Sequence, residues 1–277
     1  MFIFYRTEEI VEMFRKLFYY LQSIFRMLFG FKNWPALMPM FIKRTSFGEH
    51  VVKLRRPPIR LTVRNAMDVW SVKETFLDAF YTRYGVAPQD GWVMVDIGAG
   101  IGDFSIYAAY GRPNAVVYAF EPYSESYQLL IKNLTMNAID NVVAFQQAVW
   151  RRAGQLVIDL SCGEPLQFSS REGISKRDEQ DVVTVEGLPL EDIFEEQGIE
   201  SVDLMKLDCE GAEYEILMET SSDTLAKIQR IIMEYHDIDQ THNHQILIPF
   251  LEAEGFKVSH HVNVVHADIG YLFAERN

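Results

Sequence analysis

Val93-Met94-Val95-Asp96-Ile97-Gly98-Ala99-Gly100-Ile101-Gly102-Asp103-Phe104 runs from a short apolar segment, interrupted by one acid, into a glycine-rich break and back into apolar residues at helical spacing. That pattern predicts a buried parallel strand, a tight turn and a helix start. Glycines at the break let the backbone approach a ligand closely and take positive φ without a Cβ clash. About two dozen residues on, Val116-Val117-Tyr118-Ala119-Phe120-Glu121-Pro122 is a second apolar strand that ends in a carboxylate. An acid at the tip of the second strand is suited to accept hydrogen bonds from ribose hydroxyls. Together the two stretches point to a nucleoside-containing cofactor, the alternative being a strand–turn–helix connection with no ligand.

The acids discriminate between cofactors. A pyrophosphate would lie against the helix N-terminus, where an anion is welcome and a carboxylate is not. Here Asp96 closes the strand and Asp103 opens the helix, so the site is acidic and suits a cation with an amine. S-adenosylmethionine, with its sulfonium and ammonium groups, fits better than a nicotinamide dinucleotide.

The chain has 277 residues, enough for one large domain or one domain with an appendage. No uninterrupted apolar window of transmembrane length occurs. The cysteines, Cys162 and Cys209, are far apart and form neither a disulfide framework nor a zinc pattern, which suits a reducing cytoplasm. Charge is distributed unevenly. Residues 1–64 hold 12 Lys/Arg against 4 Asp/Glu, whereas residues 65–277 hold 14 against 35. The acidic body argues against nucleic-acid binding, and the basic N-terminal portion suits an anionic surface.

Composition divides the chain into residues 1–31, 32–90 and 91–277. The first segment reads as an amphipathic helix from Thr7, with Glu8 and Glu9 in the first turn and Gly30 at its end. Ile10, Phe14, Leu17, Leu21, Ile24 and Leu28 share one side of it. It would lie peripherally in a membrane interface, pack on its own domain, or join a homodimer. The second segment predicts a hairpin of Val51–Leu54 and Ile59–Val63 around Pro57-Pro58, then a helix over Asp68–Tyr84. Arg55, Arg56, Arg60 and Arg64 on the hairpin suit a phosphate or acidic sugar, or simply a solvated face.

The third segment alternates strand and helix. Helices are expected over about Asp103–Tyr110, Ser124–Asn137, Leu190–Gln197, Ala212–Glu219 and His244–Glu254. Strands follow at Asn141–Val149, Val202–Leu207, Ile228–Tyr235, Phe256–Val265 and Tyr271–Glu275, with a β excursion at Leu156–Leu160 and Val182–Val185. The polar stretch Ser161–Gln180 reads as a lid-like loop. The expected fold is therefore α/β, a Rossmann-like and mostly parallel sheet with a C-terminal antiparallel hairpin, preceded by an N-terminal helix and a small β extension.

Ligands in such sheets bind outside the carboxyl ends of the strands. That rule gathers Asp96, Gly98, Ala99, Gly100, Asp103, Phe104, Glu121, Pro122, Gln147, Ala148 and Asp208 around a cofactor, with Gln147-Ala148 placed for an adenine edge. Asp208, Glu210, Glu234 and His236 are the candidate catalytic acids and bases, His236 being the group that titrates nearest neutrality. Asp208, Glu234 and His236, with His242 and His244 on the next loop, also offer oxygen and nitrogen ligands to a divalent ion, although their spacing matches no self-sufficient metal motif.

VDIGAGIGDFSIYAA, VYAFEPYSESYQLLIKNLTMN and VDLMKLDCEGAEYEIL resemble the FkbM-type S-adenosylmethionine-dependent methyltransferases, from about Val69 to the C-terminus. The Asp208–Glu213 element is the most specific piece. The resemblance implies a class I methyltransferase fold and O-methylation of a hydroxyl on a glycan, glycolipid or related metabolite. By motif, Asp96, Gly98, Gly100 and Glu121 would hold the cofactor, and Asp208 and Glu210 would lie in the active-site crevice. Gly100 departs from the asparagine common there, a change that a backbone contact survives. Rival readings are a metal-assisted methyltransferase of a small phenolic or other acceptor, and a non-catalytic S-adenosylmethionine-binding partner protein.

Overall fold

The computed structural model describes residues 2–43, 48–159, 169–170 and 182–276. The chain opens with helices α1 (Phe2–Gly30) and α2 (Trp34–Lys43) and an antiparallel hairpin of β1 (His50–Lys53) and β2 (Arg60–Val63). Helix α3 (Ala66–Lys73), a π-helical turn over Glu74–Asp78 and the short α4 (Phe80–Arg83) follow. The main sheet then begins with β3 (Val93–Ile97), α5 (Asp103–Ala109), β4 (Val116–Phe120), α6 (Ser124–Met136) and β5 (Val142–Phe145). The chain leaves that sheet for β6 (Ala148–Val149), β7 (Gly154–Asp159), β8 (Ser169–Ser170) and β9 (Val182–Leu188). It returns through α7 (Leu190–Glu196) to β10 (Leu204–Leu207), α8 (Glu213–Glu219), α9 (Ser222–Leu225), β11 (Arg230–His236), α10 (His244–Ala253), β12 (Lys257–Val262) and β13 (Ile269–Glu275).

The strand order is β12-β13-β11-β10-β3-β4-β5. β5, β4, β3, β10 and β11 are mutually parallel, and β13 enters antiparallel between β11 and β12. The sheet is thus mostly parallel and ends in an antiparallel hairpin, as expected. The central strands β3, β4 and β10 are apolar apart from Asp96 and Lys206 because apolar clusters cover both sheet faces. Chain direction reverses between β3, which leads outward to β4 and β5, and β10, which leads the other way. A crevice opens at that switch.

Three expected elements differ. The N-terminal helix begins at Phe2 rather than Thr7. The strand predicted over Asn141–Val149 splits, because Gln146 and Gln147 carry the chain out of the main ladder. Ala148 and Val149 then pair with Gly187 and Leu188 of β9 in a second sheet. The helix predicted over Asp68–Tyr84 breaks at Ala79, whose φ of 54° is left-handed. The wide turn before it has a cause in charge pairing. Lys73 and Asp78, five residues apart, would diverge on an α-helix, but the π-helical turn brings them to 2.6 Å with both side chains buried. Trp70 lies under the same ammonium, 3.9 Å from ring centroid to Nζ. The lid-like loop at 161–180, apart from Ser169 and Ser170, and Cys162 with it, lies outside the described residues.

The hairpin is too small to stand alone. Its free edges are closed by asparagines that act as surrogate strands. Asn133 on α6 accepts from Thr62 N at 2.6 Å and donates to Thr62 O at 3.1 Å and to Ile101 O at 2.9 Å. One helical turn on, Asn137 treats Arg60 N and O in the same way, at 2.9 and 2.6 Å. A turn of helix rises about as far as two residues of strand, so the register matches. Asn33 serves the other edge, through Val51 O at 2.7 Å and Lys53 N at 3.0 Å. Asn133 is fully buried and also grips the glycine turn. Asn133→Ala therefore leaves three buried backbone groups unpaired and should cost about 3 kcal/mol or more in a urea unfolding titration.

Candidate active site

A cavity of about 380 Å³ lies at the carboxyl ends of β3, β4, β10 and β11. Gly98 forms part of its floor. Its φ is 73°, and a Cβ placed there would sit 1.9 Å from the carbonyl oxygen of Asp208. Only glycine permits that approach. At the tip of β4, Glu121 is 5% exposed; its carboxylate accepts from Gly100 N and Tyr123 N, both at 2.8 Å. Burial raises its pKa to about 7, against the pull of those two amides.

Of the residues expected around a cofactor, Gly98, Gly100, Asp103, Glu121, Pro122, Ala148 and Asp208 line this cavity. Asp96, Ala99, Phe104 and Gln147 do not. Asp96 lies beneath the floor, fully buried, where it accepts from Ser105 Oγ at 2.6 Å and pairs with Lys206 Nζ at 3.1 Å. Ala99 is buried in the turn, and Phe104 packs edge-on against Tyr81. Gln147 marks the joint where the third strand splits, so the wall it was expected to supply comes from Ala148, Val149 and Trp150. The indole Nε1 of Trp150 is buried with no hydrogen-bond partner among the described residues.

Sequence reading missed Lys206. It lines the cavity while almost wholly buried, and donates to Gly98 O at 2.7 Å. Burial pulls its pKa down, but Asp96, Asp208 and Asp103 overcome this and hold it above the ordinary value. One signal was available, a lysine inside the otherwise apolar Leu204–Leu207 run. Also missed was the wall that the segment before the sheet contributes, with Trp70, Glu74, Thr75 and Tyr81. Trp70 Nε1 donates to Glu74 at 2.8 Å, and Tyr81 donates to Asp208 at 3.0 Å. Thr75 donates to Asp103, whose pKa is raised by burial.

Asp208, Glu210, Glu234 and His236 are brought together at the cavity. His236 Nε2 lies 3.3 Å from Glu210 and its Nδ1 3.4 Å from the buried Glu213. Glu213 in turn accepts from Cys209 N at 2.8 Å, which anchors the loop after β10. Burial lowers the His236 pKa, but Glu213, Glu210 and Glu234 more than offset it and bring it to about 11. The imidazole is therefore charged at neutral pH and is not a free base there, contrary to the expectation from its ordinary titration. Burial raises Glu210 to about 8 despite His236, and raises Glu234 well above the carboxylate range. Asp208, Glu210 and His236 each place one potential ligand atom within 4.8 Å of the others. His242 and His244 stay outside the cavity, tied to Glu215 and Asp237 at 3.3 and 2.7 Å.

Strand order, glycine cradle and a carboxylate at the second strand tip are the features of a class I methyltransferase, which takes its methyl group from S-adenosylmethionine. The residues fit that group: the cradle excludes a Cβ, Glu121 stands ready for hydroxyls, and the acidic wall suits a cation. Sequence comparison agrees. Residues 96–258 match the family model of the Methyltransferase FkbM domain, so the match begins later than the Val69 start expected. Methyltransferase sdnD of Sordaria araneosa is 30% identical over 189 residues, 58% of this chain and 72% of that protein. The 31-O-demethyl-FK506 methyltransferase FkbM of Streptomyces tacrolimicus is 26% identical over 212 residues, 67% of this chain and 80% of that one. Hexuronic acid methyltransferase AglP of Haloferax volcanii is 23% identical over 179 residues, 64% and 70% of the two chains. The chain belongs to the FkbM methyltransferase family and is an S-adenosylmethionine-dependent methyltransferase.

The charged His236 makes a prediction about stability. Its pKa is raised on folding, so its contribution is complete below about 6.5, the ordinary imidazole value, and is lost as pH rises toward about 11. His236→Asn should lower the melting temperature most at pH 6, and thermal melts at pH 9 should show a smaller deficit.

Proposed function

We propose that the enzyme is an O-methyltransferase whose acceptor is a hydroxyl of a glycan, glycolipid or related metabolite. The observation that carries this reading is a pair of half-buried carboxylates with raised pKa values, Glu210 and Glu234, lining the same cavity as the Gly98 cradle. A carboxylate held at about 8 is a proton acceptor matched to neutral conditions. The relatives named for a demethylated FK506 and for a hexuronic acid support a hydroxylated acceptor.

S-adenosylmethionine supplies the electrophilic methyl when bound. Gly98, Gly100 and Glu121 would hold its nucleoside part, and the Asp208 side of the cavity its cationic part. Lys206 keeps the floor in place through Asp96 and Gly98 O. Glu210 would take the proton of the acceptor hydroxyl as that oxygen is methylated, while Glu234, held protonated by its higher pKa, would donate a hydrogen bond in the same cavity. His236, already charged, positions Glu210 and stabilises it as the anion. A second reading has its own observation, the three ligand atoms of Asp208, Glu210 and His236. A divalent ion there would bind and acidify the acceptor hydroxyl, and activity abolished by EDTA and restored by magnesium would select it.

Incubation with methyl-labelled S-adenosylmethionine and a panel of uronic acids, oligosaccharides and polyhydroxylated macrolides tests the assignment by mass spectrometry of the product. A methyl ether is expected, and label found only on nitrogen would refute the reading. Glu210→Gln should lower kcat by about a hundredfold with little change in KM, as for loss of a general base. Cofactor affinity should also follow Glu121. As its pKa is near 7, ionisation between pH 6 and 8 should tighten binding of S-adenosylhomocysteine about tenfold in calorimetry. Glu121→Gln should flatten that profile and weaken binding at pH 8.

A further inference from the structure

We propose that α1 docks this enzyme onto an anionic lipid surface, lying in the plane of the membrane interface. The helix is inverted with respect to its own domain. At about 100° per residue, Lys16, Tyr19, Ser23, Arg26 and Gly30 share one side of it. That side faces inward: Ser23 is 2% exposed, Arg26 pairs with the buried Asp78, and Tyr19 bonds Glu74 in the cavity wall. The apolar side faces solvent. Phe14, Phe18, Phe25 and Phe29 are 60, 63, 58 and 76% exposed, with Leu17 and Leu21 between them. The helix does pack on its own domain, but through its polar side, which leaves the apolar side uncovered.

The shape of the face selects its occupant. From Ile10 to Phe29 the exposed apolar residues cover about half of the helix circumference and run about 30 Å along it. A paired helix buries only a narrow seam and would leave much of such an arc in water. A bilayer interface takes the whole arc. No helix among the described residues is long and apolar enough to cross a membrane, so the docking is in-plane. Charge agrees. Lys32 N donates to Lys53 O and Arg55 N to Gly30 O, which sets exposed Lys32, Lys53 and Arg55 around the C-terminal end of the apolar strip. Met38 and Ile42 on the following helix α2 are exposed apolar residues as well. This basic end contrasts with the acidic body of the chain, and it is the complement of anionic headgroups.

The full chain would be sedimented with vesicles of phosphatidylcholine alone and of phosphatidylcholine with phosphatidylglycerol. Binding to the anionic vesicles, weakened by salt, is expected. The triple variant Phe18→Ser, Leu21→Ser, Phe25→Ser changes only exposed positions and should keep the wild-type melting temperature. Its partition should fall by about a hundredfold or more, three apolar side chains being withdrawn from the interface. Lys53→Glu with Arg55→Glu should remove the preference for anionic vesicles. Wild-type protein left in the supernatant with both vesicle types would overturn the proposal, as would a triple variant that sediments like wild type. Light scattering that shows a dimer, dispersed by the triple variant and unable to bind vesicles, would assign the face to a second copy instead.

Discussion

Lys206 and Asp96 meet beneath the glycine turn with almost no access to water. Neither charge would be tolerated there without the other, and removing one partner of such a pair costs about 3–5 kcal/mol. The pairing does more than neutralise. The ammonium also holds Gly98 O, so the backbone that must approach a ligand is tied to strands on both sides of the switch point. Asp208 and Asp103 add to the field that keeps Lys206 charged. The acids of the crevice are therefore arranged around a fixed cation, and the surplus of carboxylates over it is what suits a positively charged ligand.

The segment before the sheet is part of this arrangement. Lys73 and Asp78 widen the helix into a π-helical turn, and that turn presents Glu74 and Thr75 to the cavity. Trp70 supports Glu74 by a hydrogen bond while its ring faces the Lys73 ammonium. Asn133 and Asn137 fasten the hairpin on the other side of this segment to α6. The wall of the site is thus built from residues whose positions depend on ion pairs and amide contacts spanning long stretches of chain. The inward, polar side of α1 joins the same network through Tyr19 and Arg26, which leaves its apolar side outward.

Much of the fold was legible because its signals are local. An apolar run that ends at glycines, and a second run that ends at Glu121, each report burial and turn geometry within a dozen residues. Helix and strand alternation followed from periodicity, and the β excursion at Leu156 and Val182 from its apolar pairs. Misplacements occurred where neighbours distant in sequence decided the outcome. Gln147 was expected to extend a strand, but the chain there exchanges the main ladder for β9. Asp96 was assigned to the cofactor because of its place at a strand end, yet its partner is Lys206.

Residue pattern alone was sufficient for the parallel sheet, the glycine cradle, the carboxylate at the second strand tip and the amphipathic character of α1. These depend on the order of side chains along one element, which backbone geometry converts directly into faces and turns. Three things were settled only by packing. One is that His236 is charged, since its close partners Glu210 and Glu213 come from the segment after β10. Another is that the wall of the cavity belongs to Trp70, Glu74 and Tyr81. The last is the direction in which α1 turns its apolar side. Amphipathic spacing gives a helix two faces but does not say which one the rest of the protein will cover; here the buried Asp78 and the half-buried Glu74 claim the polar face.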